Sequence, residues 1–165
     1  MFWLVMILAV LGDQISKMLI SGNLALGESI PVIDGFLDFT YIINRGASFS
    51  ILQGQRIVFI ILTVLVLAAI IFIAVRKIPR DYRLFLAMLG LFCGGTIGNF
   101  IDRIRLGGVT DFIDLGWFPV FNVADCCICI GAVLLCALLI FGKAGKLFVD
   151  GNPKKTNKKK AIKKK

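Results

Sequence analysis

From Ile57 to Val75 the chain runs for nineteen residues without a charge. As a helix rising 1.5 Å per residue that run is about 28 Å long, enough to cross the hydrocarbon core of a bilayer. A segment in lipid must satisfy every backbone N–H and C=O internally, so such a run commits the chain to helices or a closed barrel. Three more runs of membrane length follow the same rule: Met1 to Ile20, Leu84 to Ile101 and Phe121 to Phe141. With 58% hydrophobic residues and a mean hydropathy of +0.90, a soluble fold would be coated in exposed apolar surface. The expectation is an all-α polytopic membrane protein with four transmembrane helices. Met1 to Ile20 lacks the basic start and small-residue cleavage site of a removable leader, and reads as the first span.

The longest stretch between spans, Ser21 to Gln55, has turn residues at Gly22, Gly27, Pro31 and Gly35, then an alternating piece, Phe36 to Ile43. Alternation predicts a half-buried strand, and Val109 to Ile113 is similarly β-prone, so a small sheet at the membrane surface is expected. Residues 1–142 then form one membrane domain with a β insert at about 21–55. Residues 143–165 form a basic, disordered tail attracted at most to anionic lipid.

Placement of the basic residues orients the spans. Ten of nineteen lysines and arginines fall between Lys143 and Lys165, and Arg76, Lys77, Arg80 and Arg83 crowd the loop after the second span. Basic segments stay cytoplasmic, which predicts both termini inside. A net charge of +9 would suggest nucleic acid in a soluble domain, but this placement argues for a lipid bilayer and no nucleic acid.

Composition also limits the chemistry. There is no histidine, so Ser/His/Asp triads, Cys/His dyads and His-ligated metals are excluded. The five cysteines lie in apolar runs, offer no spaced pair of CxxC motifs, and read as small apolar packing residues. Neither metal nor organic cofactor is expected.

With that topology the polar residues inside or beside the spans segregate to the outer end: Asp13, Lys17, Asn99, Asp102, Arg103, Asp111, Asn122 and Asp125. Charges at membrane depth are expensive and mark function. Asp13 and Lys17 are spaced i, i+4 with the acid first, the favourable order for a helical ion pair. They form either a self-neutralising pair with Lys17 snorkelling or a polar wall facing a site. Gly90, Gly94 and Gly98 make a flat stripe for close helix approach. Asn122 reads as an N-cap with Asp125 at N3. If Asp111 is brought beside Asp125, two carboxyls in a low dielectric should share one proton, the condition for aspartic proteolysis. Asp114, three residues on in a strand, would face the other way.

In order along the chain stand DQISK at Asp13 to Lys17, NRGASF at Asn44 to Phe49, GNFIDR at Gly98 to Arg103, VTDFID at Val109 to Asp114 and FNVAD at Phe121 to Asp125. Through these five motifs the sequence resembles the lipoprotein signal peptidases, or type II signal peptidases, of bacteria. The resemblance covers nearly everything up to about Gly142. It implies four transmembrane helices with an extracytoplasmic β-cradle in the cell membrane, and cleavage of prolipoproteins just before a diacylglyceryl-modified cysteine. It places the catalytic dyad on Asp111 and Asp125. Asp13, Lys17, Asn44, Gly46, Asn99, Asp102, Arg103, Asn122 and Ala124 would bind substrate or support the site, and a globomycin-type inhibitor is implied as a ligand. A monomer is expected. Cys126 and Cys127 depart from the small polar residues common in the family, and the lysine tail lies outside its pattern.

Two rival readings are weaker. A Ser48/Lys17 hydrolase needs a neutral lysine, but Asp13 keeps Lys17 charged. An ion pathway needs charges in the inner half of the spans, and the sequence puts none there.

Overall fold

The computed structural model describes residues 1–46 and 56–141. Its elements are α1 (Phe2–Asn23), β1 (Ser29–Ile33), β2 (Leu37–Asn44), α2 (Arg56–Arg76), α3 (Arg83–Leu106), β3 (Val109–Asp114) and α4 (Val123–Ile140). Each apolar run expected to span becomes one helix. By length and composition α1, α3 and α4 can each cross a bilayer, and α2 carries the apolar stretch Ile60–Arg76. Their lipid-facing character is visible in residues such as Trp3, Leu8, Leu65 and Val133, all large, apolar and exposed. The expected all-α polytopic membrane fold with a small sheet is therefore found. Ala47 to Phe49, including Ser48, and the lysine-rich tail lie outside the described residues.

α3 is the central helix, packed against α1, α2 and α4. Its glycines permit this. A Cβ on Gly90 would strike the Phe2 carbonyl oxygen of α1, and one on Gly94 would sit 2.6 Å from Ala9 Cβ and from the Met6 carbonyl oxygen. One on Gly98 would strike the Asp13 carboxylate, so the last glycine of the stripe makes room for a charge rather than for backbone. On the α4 side, Gly95 fits under the Ala124 carbonyl oxygen and Gly131 against Phe92 and the Met88 carbonyl oxygen.

The three strands form one antiparallel sheet in the order β1-β2-β3. Pro31 sits in β1 at the sheet edge, where a missing N–H is tolerated. Ile113 of β3 exchanges backbone hydrogen bonds with Phe121, at 2.7 and 3.0 Å, directly before the Asn122 cap of α4. That bridge ties the start of α4 to the strand carrying Asp111.

Two apolar clusters sandwich the polar residues. One gathers Phe2, Leu67, Ala74, Phe85, Leu89 and Cys93 among α1, α2 and α3. The other joins Ile20 and Leu24 to Phe112 of β3, with Phe39 stacked edge-on against Phe112 at 5.9 Å.

Candidate active site

Between those clusters lies a layer of buried polar side chains: Asp13, Lys17, Asn99, Asp102, Thr110, Asp111 and Asn122. Among the described residues, no buried side-chain nitrogen or oxygen lacks a hydrogen-bond partner. That completeness is what burial of so many polar groups in an apolar bundle demands.

The layer is built from the back forward. Lys17 is 4% exposed and ion-paired to Asp13 at 2.9 Å and to Asp102 at 3.1 Å, so it does not snorkel. Held between two carboxylates, its ammonium is fully engaged behind the cavity and does not reach into it. Asp13 also accepts the Ala124 N–H at 2.9 Å, and Asp102 accepts the Thr110 N–H at 3.0 Å. One carboxylate thus fixes the first turn of α4 and the other fixes β3. Gln14 joins them, with its side-chain nitrogen 3.1 Å from Asp13, 3.2 Å from Asp102 and 3.2 Å from the Gly98 carbonyl oxygen.

Two asparagines form the middle. Asn99 accepts from Lys17 at 3.0 Å and donates to Asp125 at 2.8 Å. Asn122 does three things: its side-chain oxygen caps the Asp125 N–H at 2.9 Å, its backbone N–H donates to the Asp125 carboxylate at 3.2 Å, and its side-chain amide donates to Asp111 at 2.6 Å. The capping box expected from sequence is therefore present, and it doubles as a bridge between the two aspartates.

At the front, Asp111 and Asp125 both line a cavity of about 550 Å³. Asn44, Gly46, Asn99 and Arg103 share its wall with them, as do Thr63, Thr96, Phe118, Phe121, Cys126 and Cys129. Asn44 reaches Asp111 because the β2–β3 register pairs Ile42 with Asp111 and Asn44 with Val109. The two side chains are then diagonal neighbours on one sheet face, and Asn44 donates to Asp111 at 3.0 Å. Gly46 donates its N–H to the Asn44 side-chain oxygen at 3.0 Å, which sets the amide's orientation. Arg103 also donates to the Asn99 carbonyl oxygen at 3.3 Å. Asp114 accepts instead from Thr40 at 2.8 Å, away from this cavity, as strand parity requires.

Burial pushes the Asp111 carboxyl up to about 6; the Asp125 charge adds to the rise, while hydrogen bonds from Asn44 and Asn122 and the charge of Lys17 oppose it. A carboxyl poised there can donate a proton near neutral pH, and a neighbouring carboxylate capping a helix N-terminus can accept one.

The sequence-selected residues thus divide into two groups. Asp111, Asp125, Asn44, Gly46, Asn99 and Arg103 line the cavity, whereas Asp13, Lys17, Asp102, Asn122 and Ala124 lie behind it and fix its walls. Reading the sequence missed Gln14 and Thr110, and the structure supplies Asp111 with two donors, Asn44 and Asn122. It also took all five cysteines as packing residues. Cys93 is, at 0% exposure, but Cys126 and Cys129 open on the cavity.

The family model of signal peptidase (SPase) II matches residues 5–141. The lipoprotein signal peptidase of Moorella thermoacetica is 45% identical over 147 residues, covering 88% of this chain and 97% of that protein. That of Geobacter sulfurreducens is 46% identical over 134 residues, covering 78% of this chain and 84% of that protein. Two solved bacterial membrane enzyme structures, obtained by the in meso method at 2.3 and 1.9 Å resolution, superpose with TM-scores of 0.76 and 0.75. They are 37% and 36% identical, with coverage of 82% and 84% of this chain and 85% and 91% of theirs. On its sequence, its helices and its fold, the chain belongs to the signal peptidase II family of bacterial membrane proteases.

Proposed function

We propose that the chain is an aspartic endopeptidase that removes the signal peptide from diacylglyceryl-modified prolipoproteins, cutting just before the lipidated cysteine. The observation that carries this reading is that Asp111 and Asp125, from different elements, line one cavity and are held together by Asn122. The names of its relatives supply the substrate class.

In the proposed reaction the pair starts with one proton, on Asp111. Asp125 takes a proton from a water as its oxygen attacks the scissile carbonyl carbon, and Asp111 gives its proton to the carbonyl oxygen. The resulting gem-diol collapses. The carbon–nitrogen electron pair leaves with the amine, which receives the proton from Asp125. One hydroxyl returns its proton to Asp111, and the pair is restored. Asp125 suits the base role because the Asn122 N–H and the Asn99 amide donate to its carboxylate and hold it in place on the cavity wall. Asp111 suits the acid role because burial holds its proton. Neither step needs a metal or organic cofactor.

The site is proposed to sit near the outer face of the membrane with both termini cytoplasmic, as the basic loop and tail suggest. A monomer contains every group the reaction uses, and a globomycin-type peptide is the inhibitor expected to fill the cavity. The test is to express Asp111→Asn and Asp125→Asn in cells. Uncut, diacylglyceryl-modified precursor should accumulate with each; normal turnover by Asp111→Asn would sink the shared-proton mechanism and turn attention to Asp102 or Asp114.

A further inference from the structure

Two cysteines open on the same cavity as the two aspartates. Cys126 follows Asp125 in α4 and is half-buried; Cys129 lies three residues on and is exposed, and both are free thiols. Residues spaced i, i+3 share a helix face with their Cβ atoms about 5–6 Å apart. An unstrained disulfide needs Cβ atoms about 3.5–4.5 Å apart, so the pair is too wide to close on itself without distorting the helix. It has room for one atom inserted between the sulfurs.

No other thiol among the described residues is placed to do this. Cys93 is fully buried in the apolar core. Cys127 packs towards α3, where a Cβ on Gly95 would lie 3.0 Å from its own Cβ. Cys136 is two turns beyond Cys129, about 10 Å along the axis.

We infer that Cys126 and Cys129 form a dithiol site on the wall of the catalytic cavity, and that its ligand is a monosubstituted trivalent arsenical bridging both sulfurs. The step balances without a redox partner. Two arsenic–sulfur bonds form, the arsenic–oxygen bonds of the arsenoxide break, and the two thiol protons leave with the oxygen as water. Arsenic stays trivalent. After the first bond the second closure is intramolecular, so the chelate should hold about 10²- to 10⁴-fold more tightly than a single thiol. The bridging group then stands beside Asp125 and blocks substrate; only this blocking rests on the proposed function.

The test treats the purified full chain in detergent micelles with phenylarsine oxide and reads both intact mass and cleavage of a lipid-modified prolipoprotein. One adduct per chain is expected, removed by 2,3-dimercaptopropanol but not by excess 2-mercaptoethanol. Cys126→Ser and Cys129→Ser should each weaken the adduct about 10²-fold or more, and cleavage by each, relative to the same variant untreated, should resist the reagent. If Cys126→Ser does not fold, Cys129→Ser carries the same test. No adduct, or an adduct retained by both variants, overturns the dithiol site; an adduct that leaves cleavage unchanged overturns the blocking. A chain that takes the adduct but never cleaves a prolipoprotein, even untreated, supports the site and sinks the proposed function instead.

Discussion

Asp111→Asn should make the protein more stable at high pH while abolishing its activity. Burial raises the Asp111 carboxyl from its ordinary 3.8 to about 6, so between those values the folded chain binds a proton the unfolded chain has released. The sign follows: the group's contribution is intact below 3.8 and is lost as pH rises through about 6. Above that value, ionising the buried carboxyl costs about 3 kcal/mol. Asparagine removes the charge and keeps an oxygen for the Asn122 amide. It turns its own NH₂ towards the Asn44 NH₂, however, and the Asn44 oxygen is already engaged by the Gly46 N–H, which forfeits about 1 kcal/mol. The net gain is about 2 kcal/mol at about pH 8 and close to zero at about pH 4.5, where the folded wild type keeps its proton, the unfolded chain has mostly released its own, and the linkage of about 1 kcal/mol only offsets the lost hydrogen bond. For a chain of this size 2 kcal/mol corresponds to about 4–8 °C in the unfolding midpoint. The assay is thermal unfolding in detergent micelles at both pH values, following maleimide labelling of Cys93, which is 0% exposed in the fold. Equal shifts at the two pH values, or a destabilised variant at pH 8, would refute the claim that Asp111 is held as a buried acid.

Three further outcomes are expected. With Asp111 as the acid, kcat/KM for prolipoprotein should fall as pH rises above about 6; a profile flat to about pH 8 would show that its proton is not used. Asn122→Ala removes the α4 cap and the bridge between the aspartates, and should lower stability by about 1–3 kcal/mol and activity by about 10²-fold, measured by unfolding and precursor processing. Lys17→Met leaves Asp13 and Asp102 buried without their cation and should cost about 3–5 kcal/mol in thermal unfolding; a variant as stable as the wild type would contradict the ion-pair account.

The elements that could be read from the sequence are those where a local signal and a tertiary role coincide. The uncharged run at Ile57 to Val75 had to be a helix because lipid allows nothing else. FNVAD gave the start of α4 because Asn122 and Asp125 cap each other within one turn. Strand parity separated Asp111 from Asp114. β1 gave no such signal: Pro31 interrupts it, and all five of its residues are exposed, so no apolar alternation was needed. The partners of Asp111 were equally hidden, since Asn44 reaches it through a strand register with an irregularity between Phe39 and Ile42. Gln14 looked like an ordinary helix residue, because its three contacts depend on how α1 meets α3. Long-range polar contacts of this kind leave no period in the sequence.

Gly98 gives its space to the Asp13 carboxylate, and this has a consequence for biogenesis. When α1 first meets the bilayer, α3 has not yet been made. Asp13 and Lys17 then have only each other and Gln14, and their remaining partners, Asp102, Asn99 and the Ala124 N–H, arrive with later segments. A charged pair without those partners is costly in hydrocarbon, so the first helix should settle in the membrane only weakly until the third docks against its glycine stripe. Nascent chains ending before Arg83 should therefore leave α1 extractable, and chains extended past Leu106 should hold it. If α1 resists extraction equally in both, the charge network is a product of assembly and not a condition for it.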